Sequence, residues 1–358
     1  MSDSTPTTST FEAVPVLDAH RFDEAALARF MTENVEGFAP PLEVSQFQGG
    51  MSNPTFLLAD GNGTRYVLRK KPPGELLPSA HAVDREFKVI SALGPTEVPV
   101  AKAYALCEDE SVIGQAFYIM EFLEGRVFRD VALPELEPAE RRAIYDAMND
   151  ALAKLHGVDF EAVGLADYGR VGGYITRQVR RWSQQYEASK TEEIPEMDKL
   201  SAWLSDNMPD DSLTTIAHGD FRLENLIYHP TEPRVLAVVD WELGTLGNPL
   251  SDLAYNCLPY HYGDPRWGDI IGLDYEAVGI PSEEDFVAAY CHRTGRDIDD
   301  YTYYLVLSLF RFAAIIQGVY YRGVQGNAPT PEALKRKGKC EQLAKIAWSV
   351  LQKEGRAA

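Results

Sequence analysis

The chain is poor in cysteine and in positive charge. Its 358 residues include four cysteines, and none of them forms a C-x-x-C pair or has the spacing of a metal site. A disulfide framework is therefore not expected. Lysine and arginine number 34 against 54 aspartates and glutamates, a formal charge of −20. Because this charge repels phosphate backbones and anionic lipids, we expect neither a nucleic acid nor a membrane surface as partner.

The sequence also lacks the segments that direct export or cross a membrane. Residues 1–10 are rich in Ser and Thr, with no basic start and no apolar run. The most apolar stretch, residues 303–314, is interrupted by polar residues and is shorter than the roughly 18 apolar positions of a membrane span. These absences predict a cytoplasmic protein with no membrane insertion. They leave its oligomeric state open.

Length and hydrophobic patterning together predict two lobes. The chain is longer than one compact core usually is, and 45% hydrophobic with 25% charged residues is typical of a globular protein. Turn residues separate the short extended runs of the first lobe. Its predicted strands are 42–48, 55–59, 65–69, 101–106 and 116–122, and its predicted helices are 21–38 and 79–93.

From residue 138 onward, helical spacing dominates. The predicted helices there are 138–156, 175–188 and 283–293, with a strand pair at 226–228 and 235–240. The expected fold class is α+β, an antiparallel-sheet lobe joined to a mainly helical lobe. We predict a flexible arm at 1–16, the first lobe at 17–122 and the helical lobe at 123–358.

The clearest chemical pattern lies in residues 216–240, which read I-A-H-G-D-F-R-L-E-N-L-I-Y-H-P-T-E-P-R-V-L-A-V-V-D. His218, Asp220 and Asn225 have the H-x-D-x-x-x-x-N spacing of a kinase catalytic loop, and Asp240 ends the next apolar strand, where kinases place the D-F-G aspartate. The pattern predicts Asp220 as the base that accepts the proton of a hydroxyl group. Asn225 and Asp240 are predicted to bind Mg²⁺, whose charge neutralises a phosphoryl group in transfer.

Each of these residues alone would fit an ordinary loop held by local hydrogen bonds. Their combined spacing favours the catalytic interpretation, and we assign His218 to holding the loop in place. The sequence resembles the aminoglycoside phosphotransferase and choline kinase-like family over about residues 20–330. It is most similar to the branch that also occurs as a kinase-like domain fused to acyl-CoA dehydrogenases, judged by Y-V-L-R-K-K-P-P-G at 66–74 and D-W-E-L-G-T-L-G-N-P at 240–249.

The resemblance implies a two-lobed fold like that of protein kinases, with ATP or GTP and Mg²⁺ as cofactors. By position, Arg69 then replaces the phosphate-pairing lysine of V-A-I-K, and Lys70 competes for that role. Glu86 on the next helix is the implied ion-pair partner, although a solvated helix face is the alternative. Asp252 is expected to brace the catalytic loop.

Further nucleotide contacts are carried over in the same way. Glycine-rich residues between the first two strands are expected to cover the phosphates, and a plain hairpin turn is the alternative. These residues are Gly49, Gly50, Ser52 and Asn53. Backbone groups from Glu121 to Leu123 are expected to contact the nucleobase. Glu242 is a further possible metal ligand, with a surface carboxylate as the alternative.

A small molecule is the expected acceptor, because the regulatory segment of protein kinases is missing. Gly219 stands in place of the catalytic-loop arginine, there is no A-P-E motif, and Asp252 follows Asp240 after twelve positions. The enzyme class implied is a small-molecule kinase with an alcohol group as acceptor.

An unexpected cluster of arginines suggests the charge of that acceptor. Arg177, Arg180 and Arg181 share one helix face, and with Arg311 and Arg322 they are predicted to bind an anionic acceptor such as a hydroxyacyl-CoA or a hydroxy acid. A solvated, carboxylate-paired face is the alternative. Two other functions stay open, a kinase for aminoglycosides, other amino sugars or choline, and a nucleotide-binding pseudokinase module.

Overall fold

The first third of the chain builds a six-stranded antiparallel sheet, and most of the remainder is helical. This computed structural model describes residues 8–9, 13–47, 53–72, 82–328 and 331–357. The strands are β1 (Thr8–Ser9), β2 (Ala13–Val14), β3 (Glu43–Phe47), β4 (Thr55–Ala59), β5 (Arg65–Lys70), β6 (Ala103–Cys107), β7 (Phe117–Glu121), β8 (Val127–Phe128), β9 (Thr215–Ala217), β10 (Leu226–Tyr228), β11 (Val235–Val238) and β12 (Thr245–Gly247). The helices are α1 (Glu24–Asn34), α2 (Val83–Leu93), α3 (Pro138–Gly157), α4 (Tyr174–Ser189), α5 (Pro195–Asp206), α6 (Pro249–Asn256), α7 (Tyr275–Val278), α8 (Glu283–Thr294), α9 (Tyr301–Val324) and α10 (Lys339–Lys353).

The sheet of the first lobe has the order β2-β3-β4-β5-β7-β6, and all neighbouring strands are antiparallel. Successive side chains of a strand point to opposite faces. In β5, Tyr66 and Leu68 are therefore buried in one cluster with Leu27 and Met31 of α1. Arg69 projects from the other face and pairs with Glu86 of α2. The alternation that buries Tyr66 and Leu68 thus also places the Arg69 guanidinium group in the cleft between the lobes.

Two short strands lie inside the segment that was predicted to be a flexible arm. β1 pairs with β8 of the second lobe, and β2 pairs with β3 at the edge of the sheet. Backbone hydrogen bonds therefore attach residues 8–9 to the second lobe and residues 13–14 to the first. Hydrophobic periodicity could not reveal these strands, because each is only two residues long.

Most predicted elements are present, with shifted ends. The first helix begins after Asp23, whose side chain accepts a hydrogen bond from the Ala26 N–H group, and it ends at Asn34 instead of residue 38. Asp23 satisfies an N–H group that would otherwise lack a partner, so it sets the start of the helix. The strand predicted at 235–240 ends at Val238 because Asp240 adopts a left-handed conformation, with φ 67°.

The central element of the second lobe is the long apolar helix α9, which packs against α4, α6 and α10. All residues from Thr302 to Ala314 are buried. By length and composition alone this helix could cross a membrane, but 78% of its apolar window is buried inside the protein. Its hydrophobic surface is therefore used as the core of the lobe.

We expect Phe310→Ala to lower the free energy of unfolding by about 3–5 kcal/mol, because this fully buried ring would leave a cavity. Val324→Ala is the control on the same helix, since its side chain is 50% exposed, and it should change stability by less than about 0.5 kcal/mol. Urea unfolding followed by circular dichroism measures both. Equal, small effects would contradict the assignment of α9 as the core.

Candidate active site

The catalytic-loop candidates Asp220 and Asn225 are in direct contact. Asn225 Nδ2 donates to the Asp220 carboxylate at 3.0 Å and to the Asp220 carbonyl oxygen at 2.8 Å. The loop connects β9 to β10 and closes with a 3₁₀ turn, Leu223–Asn225. Since the amide nitrogen is used within the loop and no described residue donates to Asn225 Oδ1, that oxygen is available to a cation.

Asp240 lies beside this pair. The N–H group of Val239 donates to the carbonyl oxygen of Asn225 at 2.9 Å. His218 Nε2 lies 3.0 Å from the carbonyl oxygen of Val239. The strand end that precedes Asp240 is therefore bonded to the loop that carries Asp220 and Asn225.

The buried carboxylate of Asp252 holds the catalytic loop through backbone hydrogen bonds. Asp252 accepts the N–H groups of His218 at 2.6 Å and Gly219 at 2.9 Å, and its side chain is 1% exposed. His156 Nε2 lies 3.4 Å from the same carboxylate. Burial raises the pKa of Asp252. Its hydrogen bonds with His156 and His218 lower the pKa by more than burial raises it, so the pKa lies below the ordinary value. This is the bracing contact expected of Asp252.

His218 completes the loop through its ring. The N–H group of Asp220 donates to His218 Nδ1 at 3.2 Å, so Nδ1 is an acceptor and Nε2 carries the proton that faces the Val239 carbonyl. Gly219 between them has φ 82°, and a Cβ atom there would lie 2.8 Å from the carbonyl oxygen of Leu243. A larger residue would displace the loop, which explains why glycine stands in place of the kinase arginine.

The two lobes are joined across the cleft by Arg69. Its Nε lies 3.1 Å from Glu86 Oε2, and one terminal nitrogen lies 3.2 Å from Asp240 Oδ1. Glu86 also accepts hydrogen bonds from Asn53 at 2.8 Å and from Tyr118 at 2.9 Å. Burial raises the pKa of Glu86, whereas Arg69 opposes this shift. The ion pair is thus buried, and Glu86 accepts hydrogen bonds from several sides.

Lys70, the competitor of Arg69, lies on the other face of the sheet. Its ammonium nitrogen is 5.2 Å from the ring centroid of Phe22, and the residue is buried. Burial lowers the pKa of Lys70. Arg69, and not Lys70, therefore faces Asp240.

For the remaining candidate residues the structure gives a position for some and none for others. Gly49, Gly50 and Ser52 lie outside the described residues. Glu121 ends β7, where its N–H group donates to the Lys102 carbonyl oxygen at 2.8 Å, and Leu123 follows in the connection between the lobes. Glu242 is exposed, two residues after Asp240. The nucleobase and metal roles of these three residues stay predictions.

Asn225 and Asp240 form a small donor set for a cation. In the described part of the chain there is no group of three or more His, Cys, Asp or Glu side chains suited to a metal ion. Mg²⁺ bound with a nucleotide needs only one or two protein ligands, because phosphate and water oxygens complete its octahedron. The oxygen donors present here fit that requirement.

The profile of the phosphotransferase enzyme family matches residues 43–301, which contain the sheet, the catalytic loop and Asp240. The chain belongs to this phosphotransferase family. A crystal structure from Ralstonia eutropha, assigned to the aminoglycoside phosphotransferases, is 51% identical and superposes with a TM-score of 0.87. That similarity covers 93% of this chain and 99% of the Ralstonia chain.

Two further similarities concern the branch of the family and the fold. A probable acyl-CoA dehydrogenase from Arabidopsis thaliana is 46% identical over 361 residues, which cover 95% of this chain and 44% of the relative. The chain thus spans less than half the length of that relative, and the predicted branch is confirmed. An aminoglycoside phosphotransferase in a ternary complex with ADP and hygromycin B has a TM-score of 0.57, 15% identity and coverage of 90% of this chain and 98% of its own. This second similarity concerns the fold, and the predicted kinase-like architecture is confirmed.

An apolar pocket adjoins the catalytic loop of the phosphotransferase. It contains about 590 Å³ of space, part of it open to solvent. Its lining is mostly aromatic and aliphatic and includes Tyr145, Tyr255, Leu258, Trp267, Ile270 and Phe312. Two arginines, Arg129 and Arg222, also line it. Arg222 is close to the base, since its Nε lies 3.3 Å from Asp220 Oδ2, and it also pairs with Glu224.

The arginines predicted to bind the acceptor do not line this pocket. Arg177 donates to the carbonyl oxygens of Gly172 and Arg170, so it stabilises the start of its own helix. Arg180, Arg181 and Arg322 are exposed. Arg311 is buried and donates to the carbonyl oxygen of Gly219 at 2.6 Å, so it contacts the catalytic loop. The acceptor role of these arginines stays a prediction.

Several residues of the site were not found from the sequence. Arg222 could have been suspected, because it lies two positions after Asp220 in the loop. Tyr118, Tyr255 and Arg129 carry no local pattern, because their contacts join elements that are distant along the chain. Only the fold brings them to the cleft.

We expect Asp252→Asn to lower the free energy of unfolding at pH 7 by about 3–5 kcal/mol, since the amide nitrogen of asparagine would face one of the two backbone N–H groups that separate carboxylate oxygens now accept. A lowered folded-state pKa stabilises the wild type above the ordinary value of 3.8, and this stabilisation is lost as pH falls below it. The difference between variant and wild type should therefore shrink below pH 3.8.

Urea unfolding between pH 3 and pH 8 gives this comparison, with the exposed Asp206→Asn as control. A difference that stayed constant with pH would mean that the Asp252 carboxylate is not the source of the stabilisation.

Proposed function

We propose that this phosphotransferase is a small-molecule kinase that uses Mg²⁺ and ATP, or GTP, to phosphorylate a hydroxyl group. The observation that carries the proposal is the contact between Asp220 and Asn225 beside Asp240, in the cleft that Arg69 spans. A base, two oxygen ligands for Mg²⁺ and a cationic side chain for the phosphate oxygens are the components that phosphoryl transfer uses.

The chemistry assigned to each residue follows from its position. The acceptor hydroxyl oxygen forms a bond to the terminal phosphorus, the bond to the bridging oxygen breaks, and the nucleoside diphosphate leaves. Asp220 accepts the hydroxyl proton. Asn225 and Asp240 would hold Mg²⁺, which supplies neutralisation of the phosphate charge when it is bound.

Nucleotide binding is supported by Arg69 and by the fold. Arg69 is positioned by Glu86 and by β5, so its guanidinium group is fixed before phosphate oxygens arrive. The aminoglycoside phosphotransferase of similar fold was crystallised with ADP. Glu86 keeps Arg69 in the cleft, and Asn53 and Tyr118 keep Glu86 in place.

The pocket beside the loop supports an acceptor with an apolar body and an anionic group. Its lining offers aromatic and aliphatic surface, two arginines and one glutamate, and that glutamate is paired with Arg222. A polycationic amino sugar would be expected to meet several carboxylates, so this class is disfavoured. A hydroxyacyl thioester or a hydroxy acid fits better, and the relatives named as acyl-CoA dehydrogenases agree with that choice.

The alternative of a pseudokinase module is disfavoured by the same geometry. Nucleotide binding alone needs no carboxylate that accepts a hydrogen bond from Asn225 and forms an ion pair with Arg222, a residue that lines the apolar pocket. A cytoplasmic location stays a prediction from the sequence.

We expect Asp220→Asn to lower kcat by about 10²–10⁴-fold, because the acceptor proton loses its base while nucleotide contacts remain. The assay follows Mg²⁺-dependent transfer from ATP to a panel of hydroxyacyl-CoA thioesters, free hydroxy acids, aminoglycosides and choline. Asp206→Asn, an exposed carboxylate on α5, is the matched control. Turnover that is equally negligible in wild type and Asp220→Asn across the whole panel would favour the module instead.

For the acceptor, Arg129→Gln should raise KM for anionic acceptors by about tenfold, the loss expected for one charged hydrogen bond, and leave KM for MgATP unchanged. Arg180→Gln provides the comparison, since Arg180 is also an exposed arginine but does not line the pocket. Steady-state kinetics with the best acceptor of the panel measures KM for both variants. If only Arg180→Gln raised KM, the acceptor would bind at the helix face and not in the apolar pocket.

A further inference from the structure

One arginine of the second lobe is buried beside the catalytic loop. Arg311 on α9 is 8% exposed, and within the described ranges no carboxylate forms an ion pair with it. Burying a cation is costly unless strong contacts compensate. The contacts that Arg311 does make therefore indicate why it is there.

Arg311 bonds to the loop and is held by two aromatic rings. Its terminal nitrogen donates to the Gly219 carbonyl oxygen at 2.6 Å. The guanidinium carbon lies 4.9 Å from the ring centroid of Tyr255 and 5.6 Å from that of Trp182. Because the rings come from α6 and α4, three helices fix the orientation of this one donor.

The bonded carbonyl belongs to the peptide group that immediately precedes the base. The N–H group of that same peptide, at Asp220, donates to His218 Nδ1 at 3.2 Å. The preceding N–H group, at Gly219, donates to Asp252 Oδ1 at 2.9 Å. Among the described residues, Arg311 alone donates a hydrogen bond to this carbonyl oxygen, so without it the Gly219–Asp220 peptide is hydrogen-bonded from its N–H side alone.

We infer that Arg311 is a positioning residue, which fixes the Gly219–Asp220 peptide and so orients the Asp220 carboxylate toward the acceptor pocket. The inference rests on the proposed role of Asp220 as the base. Arg311 contacts neither nucleotide nor acceptor in this role. Tyr255, which both stacks on Arg311 and lines the pocket, joins the positioning contact to the acceptor site.

The first test uses no substrate. Hydrogen–deuterium exchange of residues 216–226 is compared in wild type, Arg311→Lys and Arg311→Met, at temperatures well below each thermal midpoint. Both variants should exchange faster, Arg311→Met by at least about tenfold, since the loop loses a charged hydrogen bond. Arg293→Lys is the control, because Arg293 pairs with Asp146 on the surface of α3 and should leave the loop unchanged. Loop exchange at the wild-type rate in both folded Arg311 variants would overturn the inference.

The second test separates positioning from packing through kinetics. Arg311→Met should lower kcat about 10²-fold, the effect of a slight misplacement of a reacting group, while KM for MgATP stays within about twofold. Arg311→Lys, which keeps a charged donor, should recover at least about tenfold of the lost kcat. Equal kcat values for the folded Lys and Met variants would assign Arg311 to packing.

These two tests also separate the inference from the proposed function. If wild type showed no turnover that depends on Asp220, the proposed function would fail, and the exchange rates would still decide the role of Arg311. If Asp220-dependent turnover were present and Arg311→Met kept it in full, the inference alone would fail.

Discussion

The buried carboxylate of Asp252 is the constraint on which the rest of the site depends. It accepts two consecutive backbone N–H groups, those of His218 and Gly219, and it is almost completely excluded from water. Buried backbone N–H groups are almost always hydrogen-bonded, because an unpaired one would lower the stability of the folded state. With these two amides fixed, the His218 ring can accept the Asp220 N–H group and face the carbonyl oxygen of Val239. One helix residue thereby sets the relative positions of the base and of the strand end that carries Asp240.

The second constraint is electrostatic and crosses the lobes. Glu86 is 1% exposed, yet it is bonded to Arg69, Asn53 and Tyr118, so its charge is compensated on several sides. Replacing such a network by apolar groups could be neutral for stability, so its presence indicates a role beyond folding. In this cleft the network holds one guanidinium group beside Asp240, where we propose that a phosphate binds. The sheet and the helical lobe are thus connected at the point where the chemistry is proposed.

Local sequence patterns were enough to predict five of the six strands of the sheet, β3 to β7, and the helices α1 to α4 and α8. They did not predict the two-residue strand β2 or the helix α9, which is buried nearly all round and so lacks amphipathic spacing. The spacing within residues 216–240 selected Asp220, Asn225 and Asp240 as candidates, and their roles stay predictions. Strand alternation and the fixed spacing within the loop are short-range properties, so they can be read without a fold. Arg69 and Lys70 are adjacent in sequence and could not be separated until β5 showed which face each occupies. The contacts of Arg311 with Gly219 and of the pocket-lining arginines depend on residues far apart in the chain. The arginines on α4 share a helix face, as the spacing indicated, but spacing alone could not tell whether that face binds a ligand, and the structure has Arg180 and Arg181 exposed there.

We propose that Asp220, Asn225, Asp240 and Arg69 surround the terminal phosphate of one nucleotide. A crystal structure with Mg²⁺ and a non-hydrolysable ATP analogue would show whether they do. We expect Mg²⁺ at about 2.1 Å from oxygens of Asn225 and Asp240, with Arg69 on phosphate oxygens and Asp220 facing the terminal phosphorus. A nucleotide bound away from this cleft, or a metal ion that contacts neither Asn225 nor Asp240, would contradict it.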